Sequence, residues 1–476
     1  MESLWDSSYF KNLSIGNTEG IWEANGISID SRLVSKDDLF IALKGPNYDG
    51  HNYVSLALQN GAVAAVVNKS LSKKLNISRE KLVVVDDTLA TLSLLAKEAR
   101  NRTNAKFIGI TGSVGKTTTK DILSLVLSKF GLTHSTYGNQ NNLIGVPLTL
   151  SRMSRSSKFG VFELGMNRPG EIKTLSKLVR PDVVIITKIA GVHTEFFNSI
   201  DSIADAKAEI YQGLSKHGIV IIPSDSNYYK KLYFLAKDKG VKNIISFGES
   251  ENSTFRLLSY SVSKNRTDIE AVLEGEVFRY SISLIGKHMA LNSLAVLAGV
   301  KALGESVGNA SLKMANAKYS TGRGNRILLS TEGGQFTLID ETYNASPTSV
   351  EALIKSLSEE KHSGRNILVL GDMLELGADA PLLHRNLSTL ITESNIDLVF
   401  TLGDLMKNLN DSLPDNLKSY HSINYEDLCE LLLSNIRPND FIAIKGSAGI
   451  KMQRIVKRLE SYFLDRDEAG FKGSIV

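Results

Sequence analysis

KFIGITGSVGKTT, residues 106–118, begins as an apolar strand, breaks at two glycines, and passes through a lysine into threonines that open a helix. Glycines let backbone N–H groups turn inward around phosphate oxygens, and the start of a helix adds the positive end of its dipole. Gly112, Ser113, Val114 and Gly115 form the turn. Lys116 is placed to reach terminal phosphates, Thr117 offers a hydroxyl to magnesium, and Thr118 continues the first helical turn. The full-length form of such a loop has a glycine where Ile110 stands, so this is a shortened variant. The stretch predicts an ATP site between a buried strand and a helix.

Outward from the loop, Leu123, Val126, Leu127 and Phe130 recur at helical spacing, and Gly131 is placed as the stop. FGVFEL, DVVIIT and GIVIIP follow as continuous apolar strands, and from about 245 to 285 shorter alternating stretches predict antiparallel pairing. HMALNSLAVLAGVKAL is a helix leading towards Gly322 and Gly324, a linker. Before the loop, ISID, LFIAL, AAVVN and LVVVDD read as strands with helices after His51 and Thr88. Beyond the linker FTLID, NILVLGD, LVFTLG and DFIAIKG are apolar runs of a parallel sheet covered on both faces. The expected architecture is α/β in three domains: a small N-terminal unit (1–103), a central phosphate-loop unit with a parallel sheet (104–322), and a C-terminal Rossmann-like unit (323–476).

A length of 476 residues agrees with that count at roughly 150 residues per domain. A net charge of +4 demands no broad basic face, so neither nucleic acid nor an anionic membrane is an expected partner. The one cysteine, Cys429, sits in the apolar run LCELLL and reads as a small buried hydrophobe, which fits a reducing compartment. No basic stretch followed by an apolar one opens the chain, and no apolar run approaches the ~20 residues of a membrane span. A cytoplasmic location is expected.

In an open parallel sheet, ligands gather at the carboxyl ends of strands. Glu163 ends FGVFEL and His193 follows DVVIITKIAG, so both are expected beside the phosphate loop, where a carboxylate and an imidazole suit a second magnesium. A strand-end glutamate is also a common loop anchor, and a lone histidine is commonly structural. Lys207 falls on the apolar face of SIADAKAEIYQGL with Ile203, Ile210 and Tyr211. Burial lowers a lysine from its ordinary pKa of about 10.4. A neutral amine there can take up carbon dioxide as a carbamate and offer an anionic oxygen to metal. The alternative is a snorkelling lysine paired with Asp205 or Glu209.

Further on stand Lys287-His288 and Asn292, Arg323, then IDETYNASP at 339–347, GDMLELG at 371–377 and Lys445-Gly446-Ser447. Ser346 and Pro347 form an N-cap and first-turn pair, and Asp340 ends a strand. Together TGSVGKT, YGNQNNLIGVPLTL, ELGMNRPGEI, DAKAEI, IDETYNASPTSVEAL, GDMLELG and IKGSAGIKM resemble the Mur ligases, in order and across almost the whole chain.

The resemblance implies an ATP-dependent ligase with UDP-MurNAc-tripeptide and D-alanyl-D-alanine as substrates, with a monomer as the family's default state. It assigns Lys116 and Thr117 to the phosphates and a first magnesium, and Glu163, His193 and a carbamylated Lys207 to a second. Asn292 is expected on the adenine side of ATP, with Arg323 and Asp340 reaching it from the domain junction. Ser31 and Arg32 lie in a segment matching the UDP end, as does Asp49-Gly50-His51. Asn139, Asn141 and Asn142 are expected along the channel to the reacting carboxylate, and Tyr343 and Asn344 near the dipeptide. IDETYNASP departs from the family's usual run by Ser346 in place of an asparagine and by Thr342 between Glu341 and Tyr343. The implied chemistry is phosphorylation of a carboxylate, then attack of an amine on the acyl phosphate under a closed C-terminal unit. Competing readings are a sister ligase with a different amine and, in another class, a phosphotransferase or nucleotide-gated binding protein. The DNPR-like segment of tripeptide-forming relatives is not found.

Overall fold

The computed structural model describes residues 3–12, 15–191, 197, 199–263, 266–360, 362–417 and 419–472. The phosphate-loop strand, Lys106–Thr111, lies inside a nine-stranded sheet. It pairs in parallel with Phe159–Glu163 on one side and Val183–Ile186 on the other, the register setting Glu163 opposite Ile110 and Ile186 opposite Thr111. Parallel pairing continues through Ile219–Pro223 and Asn243–Gly248 to Phe255–Ser263. The sheet then closes as an antiparallel meander, with Arg266–Leu273 and Glu276–Ile282 joined by a turn in which Glu274 and Gly275 both take positive φ.

The helix after the loop runs Lys116–Leu127, ending earlier than Gly131 suggested. Gly131 still closes the final turn, its N–H donating to Leu127 O at 3.2 Å. Leu123, Val126 and Leu127 are fully buried with the helix Lys287–Ala302 against one sheet face.

The N-terminal sheet sets an antiparallel edge strand, Asn17–Thr18, beside the parallel strands Leu82–Val85, Ala64–Asn68, Asp38–Ile41 and Gly26–Ser28. It shares its core with the central unit, because Leu148 packs among its residues. Trp5 Nε1 donates to Ser151 O at 2.8 Å, Arg152 Nε to Ile27 O at 2.6 Å and Arg102 Nη2 to Met153 O at 3.4 Å.

The C-terminal sheet has six strands, ordered Asn325–Thr331, Gly334–Glu341, Phe441–Lys445, Asn366–Gly371, Leu398–Leu402 and Ser419–Ser422. Only the first pair is antiparallel. Cys429 is buried in this unit's core, as its apolar setting suggested. The junction with the central unit is a short hinge. Gly322 and Gly324 take φ of 74° and 104°, and Tyr319 Oη accepts from Ile285 N at 2.6 Å.

Candidate active site

A cleft of about 1260 Å³ opens between the central and C-terminal units, and the phosphate loop forms its floor. Gly112 turns at φ 150°, where a Cβ would stand 1.8 Å from Thr187 Oγ1. Gly115 turns at φ 89°, where a Cβ would stand 2.9 Å from Asn292 Oδ1. Only glycine lets the loop pass this close to its neighbours. The segment after Val183–Ile186 clamps the loop. Ser113 N donates to Lys188 O at 2.7 Å, Ser113 Oγ to Ala190 O at 2.8 Å, and Thr187 Oγ1 to Val114 O at 2.7 Å. The clamp went unnoticed in the sequence, although TKIAG directly follows a strand adjacent to the loop and was open to the same strand-end rule.

Lys116 curls over the loop, its ammonium donating to Gly112 O at 2.8 Å and Ser113 O at 3.2 Å. Burial lowers its pKa, Glu163 opposes that shift and Arg323 adds to it, so these three charges share one region. Thr117 Oγ1 donates to Glu163 Oε2 at 2.7 Å, and Asn141 Nδ2 to Glu163 Oε1 at 2.8 Å. The carboxylate is 1% exposed and each oxygen is held by a different element, which fixes its direction at the end of its strand.

Lys207 is 2% exposed on the helix Ile200–Ala208 and lines the cleft. Burial, reinforced by Lys116 and partly countered by Glu163, holds its pKa well below the usual lysine value. The partners that a snorkelling lysine would need are engaged elsewhere. Asp205 pairs with Lys231 at 2.8 Å, while Glu209 accepts from Gly170 N at 2.7 Å and Lys173 N at 3.1 Å. His193 lies outside the described residues.

Among the described residues no group of three or more histidines, cysteines or acids gathers as a metal site. The donors that do meet are a hydroxyl and a carboxylate, with the buried Lys207 lining the same cleft. Such a set suits a hard cation that draws its remaining oxygens from phosphate and water.

Asn292, Arg323, Tyr343 and Asn344 line the cleft from the helix and the hinge side, and the Arg323 guanidinium lies over the Tyr343 ring. Asn139, Asn141 and Asn142 line the opposite rim. Asn142 Oδ1 accepts from Gly145 N at 2.8 Å, which starts the following helix. Asp340 is placed differently from these. It is buried, with Oδ2 accepting from Gly322 N at 3.1 Å and Oδ1 from Thr342 N at 3.1 Å, so its carboxylate organises the hinge backbone. Ser31 and Arg32 lie on the N-terminal unit outside the cleft lining; Ser31 is buried, and Arg32 is exposed and paired with Asp30 at 2.6 Å. The sequence reading gave no role to Glu341 and Lys445, whose side chains meet at 3.1 Å on the C-terminal wall.

Three stretches match described families: residues 23–100 the Mur ligase family catalytic domain, 110–300 the Mur ligase middle domain, and 325–448 the Mur ligase glutamate ligase domain. The chain is 33% identical over 456 residues to the UDP-N-acetylmuramoyl-tripeptide–D-alanyl-D-alanine ligase of Rickettsia prowazekii, covering 95% of this chain and 99% of that one. It is 33% identical over 439 residues to the Bacillus subtilis enzyme of the same name, covering 91% and 93%. Among solved structures it resembles MurF from Acinetobacter baumannii, with a TM-score of 0.84 at 28% identity over 97% of this chain and 99% of that one. It also resembles MurF from Thermotoga maritima in complex with ADP, with a TM-score of 0.78 at 26% identity over 93% and 98%.

Proposed function

The chain belongs to the Mur ligase family, and from that premise we infer that it is an ATP-dependent ligase adding D-alanyl-D-alanine to UDP-MurNAc-tripeptide in peptidoglycan synthesis. The observation that carries this reading is the meeting of the phosphate loop, Glu163 and the buried Lys207 on one wall of a cleft whose other wall is a separate, hinged unit.

The tripeptide carboxylate attacks the γ-phosphate of ATP, and the dipeptide amine then displaces phosphate from the acyl phosphate. The loop amides from Gly112 to Thr118 and the Lys116 ammonium cradle the phosphates, where preorganised donors are worth most because they need no reorganisation. Thr117 and Glu163 would hold magnesium, with a carbamylated Lys207 and His193 completing the sites of two ions. The metal supplies charge neutralisation on the transferring phosphoryl group. Asn292 and Arg323 flank the nucleotide, and Asp340 serves it from behind by holding Gly322. Asn139, Asn141 and Asn142 line the approach of the tripeptide, while Ser31 and Arg32 belong to the surface for its UDP end. Tyr343 and Asn344 stand where the amine enters. Closure of the C-terminal unit keeps water from the acyl phosphate.

The working boundaries are 1–103 for the UDP-substrate unit, 104–322 for the ATP unit and 323–476 for the unit that brings the amine. The enzyme acts as a cytoplasmic monomer. Cys429 is free and buried, and among the described residues no helix is long and apolar enough to cross a membrane. The test is phosphate release with ATP, UDP-MurNAc-tripeptide and D-alanyl-D-alanine, each omitted in turn. Release that persists without the dipeptide, or with another amine in its place, rejects the assignment.

A further inference from the structure

Glu341 closes the strand Gly334–Glu341, Lys445 closes the neighbouring parallel strand Phe441–Lys445, and the sheet register sets the two residues opposite each other. Lys445 Nζ lies 3.1 Å from Glu341 Oε2 and 3.5 Å from Glu341 O. Both residues line the cleft, with side-chain exposures of 4% for the lysine and 21% for the glutamate. The carboxylate has room because of the hinge: a Cβ on Gly324, at φ 104°, would stand 3.1 Å from Glu341 Oε1. Across the cleft the His288 ring feels both charges.

The other cationic groups lining this wall are committed or peripheral. Arg326 makes a two-pronged pair with Glu360, Arg323 is stacked on Tyr343, and Lys355 is exposed on its helix. An almost buried ammonium with a single carboxylate partner, at the carboxyl ends of parallel strands, stands where such sheets bind ligands. As a plain strap between strands the pair returns little, because taking two charges out of water offsets their attraction.

The incoming dipeptide carries an ammonium at one end and a carboxylate at the other. We propose that the Glu341–Lys445 pair is the recognition element for this zwitterion, Glu341 receiving its ammonium and Lys445 its terminal carboxylate. Each protein charge exchanges its partner for a substrate group of the same sign. Binding therefore leaves no buried charge unmatched, which is the condition for a desolvated ion pair to favour the right ligand. A peptide whose C-terminus is an amide leaves the Lys445 ammonium without an anion and is rejected. This assignment rests on the ligase reading above and adds the residues that select the amine.

The experiment compares D-alanyl-D-alanine with D-alanyl-D-alanine amide as acceptors, using the full chain with ATP and UDP-MurNAc-tripeptide. The wild type is expected to prefer the free acid by at least about tenfold in kcat/KM, the scale of one lost partner at a buried charge pair. Lys445→Met is expected to bring the two acceptors within about threefold of each other. Glu341→Gln is expected to raise KM for the dipeptide by about tenfold or more, with KM for ATP and for UDP-MurNAc-tripeptide unchanged. Wild-type use of the amide as readily as the acid overturns the proposal without any variant, which covers the case in which Lys445→Met does not fold. A folded Lys445→Met that keeps the wild-type preference overturns it equally and returns the pair to a strap. If the wild type forms no amide bond with the free dipeptide at all, it is the ligase reading itself that fails.

Discussion

The Arg323 guanidinium carbon lies 3.7 Å from the centre of the Tyr343 ring, so a residue inside the hinge is stacked on the first loop of the C-terminal unit. A stacked guanidinium is planar and always charged, and an ammonium does not replace it. Such stacking contributes about 0.5–2 kcal/mol. Arg323→Lys is therefore expected to lower the unfolding midpoint slightly and, on the proposed placement of Arg323 beside the nucleotide, to raise KM for ATP several-fold. Unchanged nucleotide kinetics in this variant would remove Arg323 from the ATP site.

Lys116→Ala removes the ammonium held over the loop. Loss of one preorganised donor at a transferring group costs about 100- to 1,000-fold in kcat. Phosphate release should fall at least that far with the fold intact, as read by circular dichroism. Near-normal turnover contradicts the role given to Lys116.

Lys207→Ala should be nearly inactive because it removes the amine that takes up carbon dioxide. An added small carboxylate, acetate or formate, should restore part of the activity. A structural lysine predicts neither effect, and full activity without additive settles the matter against carbamylation.

Two glycines separate steric crowding from backbone strain. Gly112→Ala places a methyl 1.8 Å from Thr187 Oγ1 at φ 150°, whereas Gly170→Ala at φ 88° meets nothing within 4 Å. Gly170→Ala is expected to lower stability by about 1 kcal/mol through strain alone and to keep its activity. Gly112→Ala should lose nucleotide binding as well, measured by calorimetric titration with ATP.

His384 is fully buried; its Nε2 accepts from Met373 N at 2.9 Å and its Nδ1 faces Ala380 O at 2.6 Å. Burial lowers its pKa, so the fold holds the neutral ring. The unfolded chain protonates first, near the ordinary value of about 6.5. The contribution is thus complete above that pH and is lost as pH falls from there towards the folded pKa. The urea midpoint should drop on going from about pH 7.5 to about pH 5.5, and His384→Gln should flatten the drop. Identical slopes in the two proteins rule out this histidine as the source.

What could be read from the sequence was what neighbouring residues encode. The loop 112–118, Glu163 at a strand end and Lys207 on an apolar helix face each declare themselves within one element, and the structure gathers the three. Glu341 and Lys445 were visible as motif members without a role, because they stand 104 positions apart and meet only through strand order. The edge strand Ser419–Ser422 escaped notice because SYHS has no apolar run. Asp340 is implied as a nucleotide contact by its place in the motif, and nothing local announces that Gly322 and Thr342 donate to its oxygens.

Trp5, Arg102 and Arg152 tie the N-terminal unit to the central one, and Leu148 sits in the core they share. On the proposed assignment, with the nucleotide sugar seated on that unit, these ties would hold the span from its binding surface to Lys116. A fixed span works as a gauge. A stem one residue short would then stop before the γ-phosphate and a longer one overshoot, so the number of peptide residues would be checked by distance, independently of which side chains the stem carries.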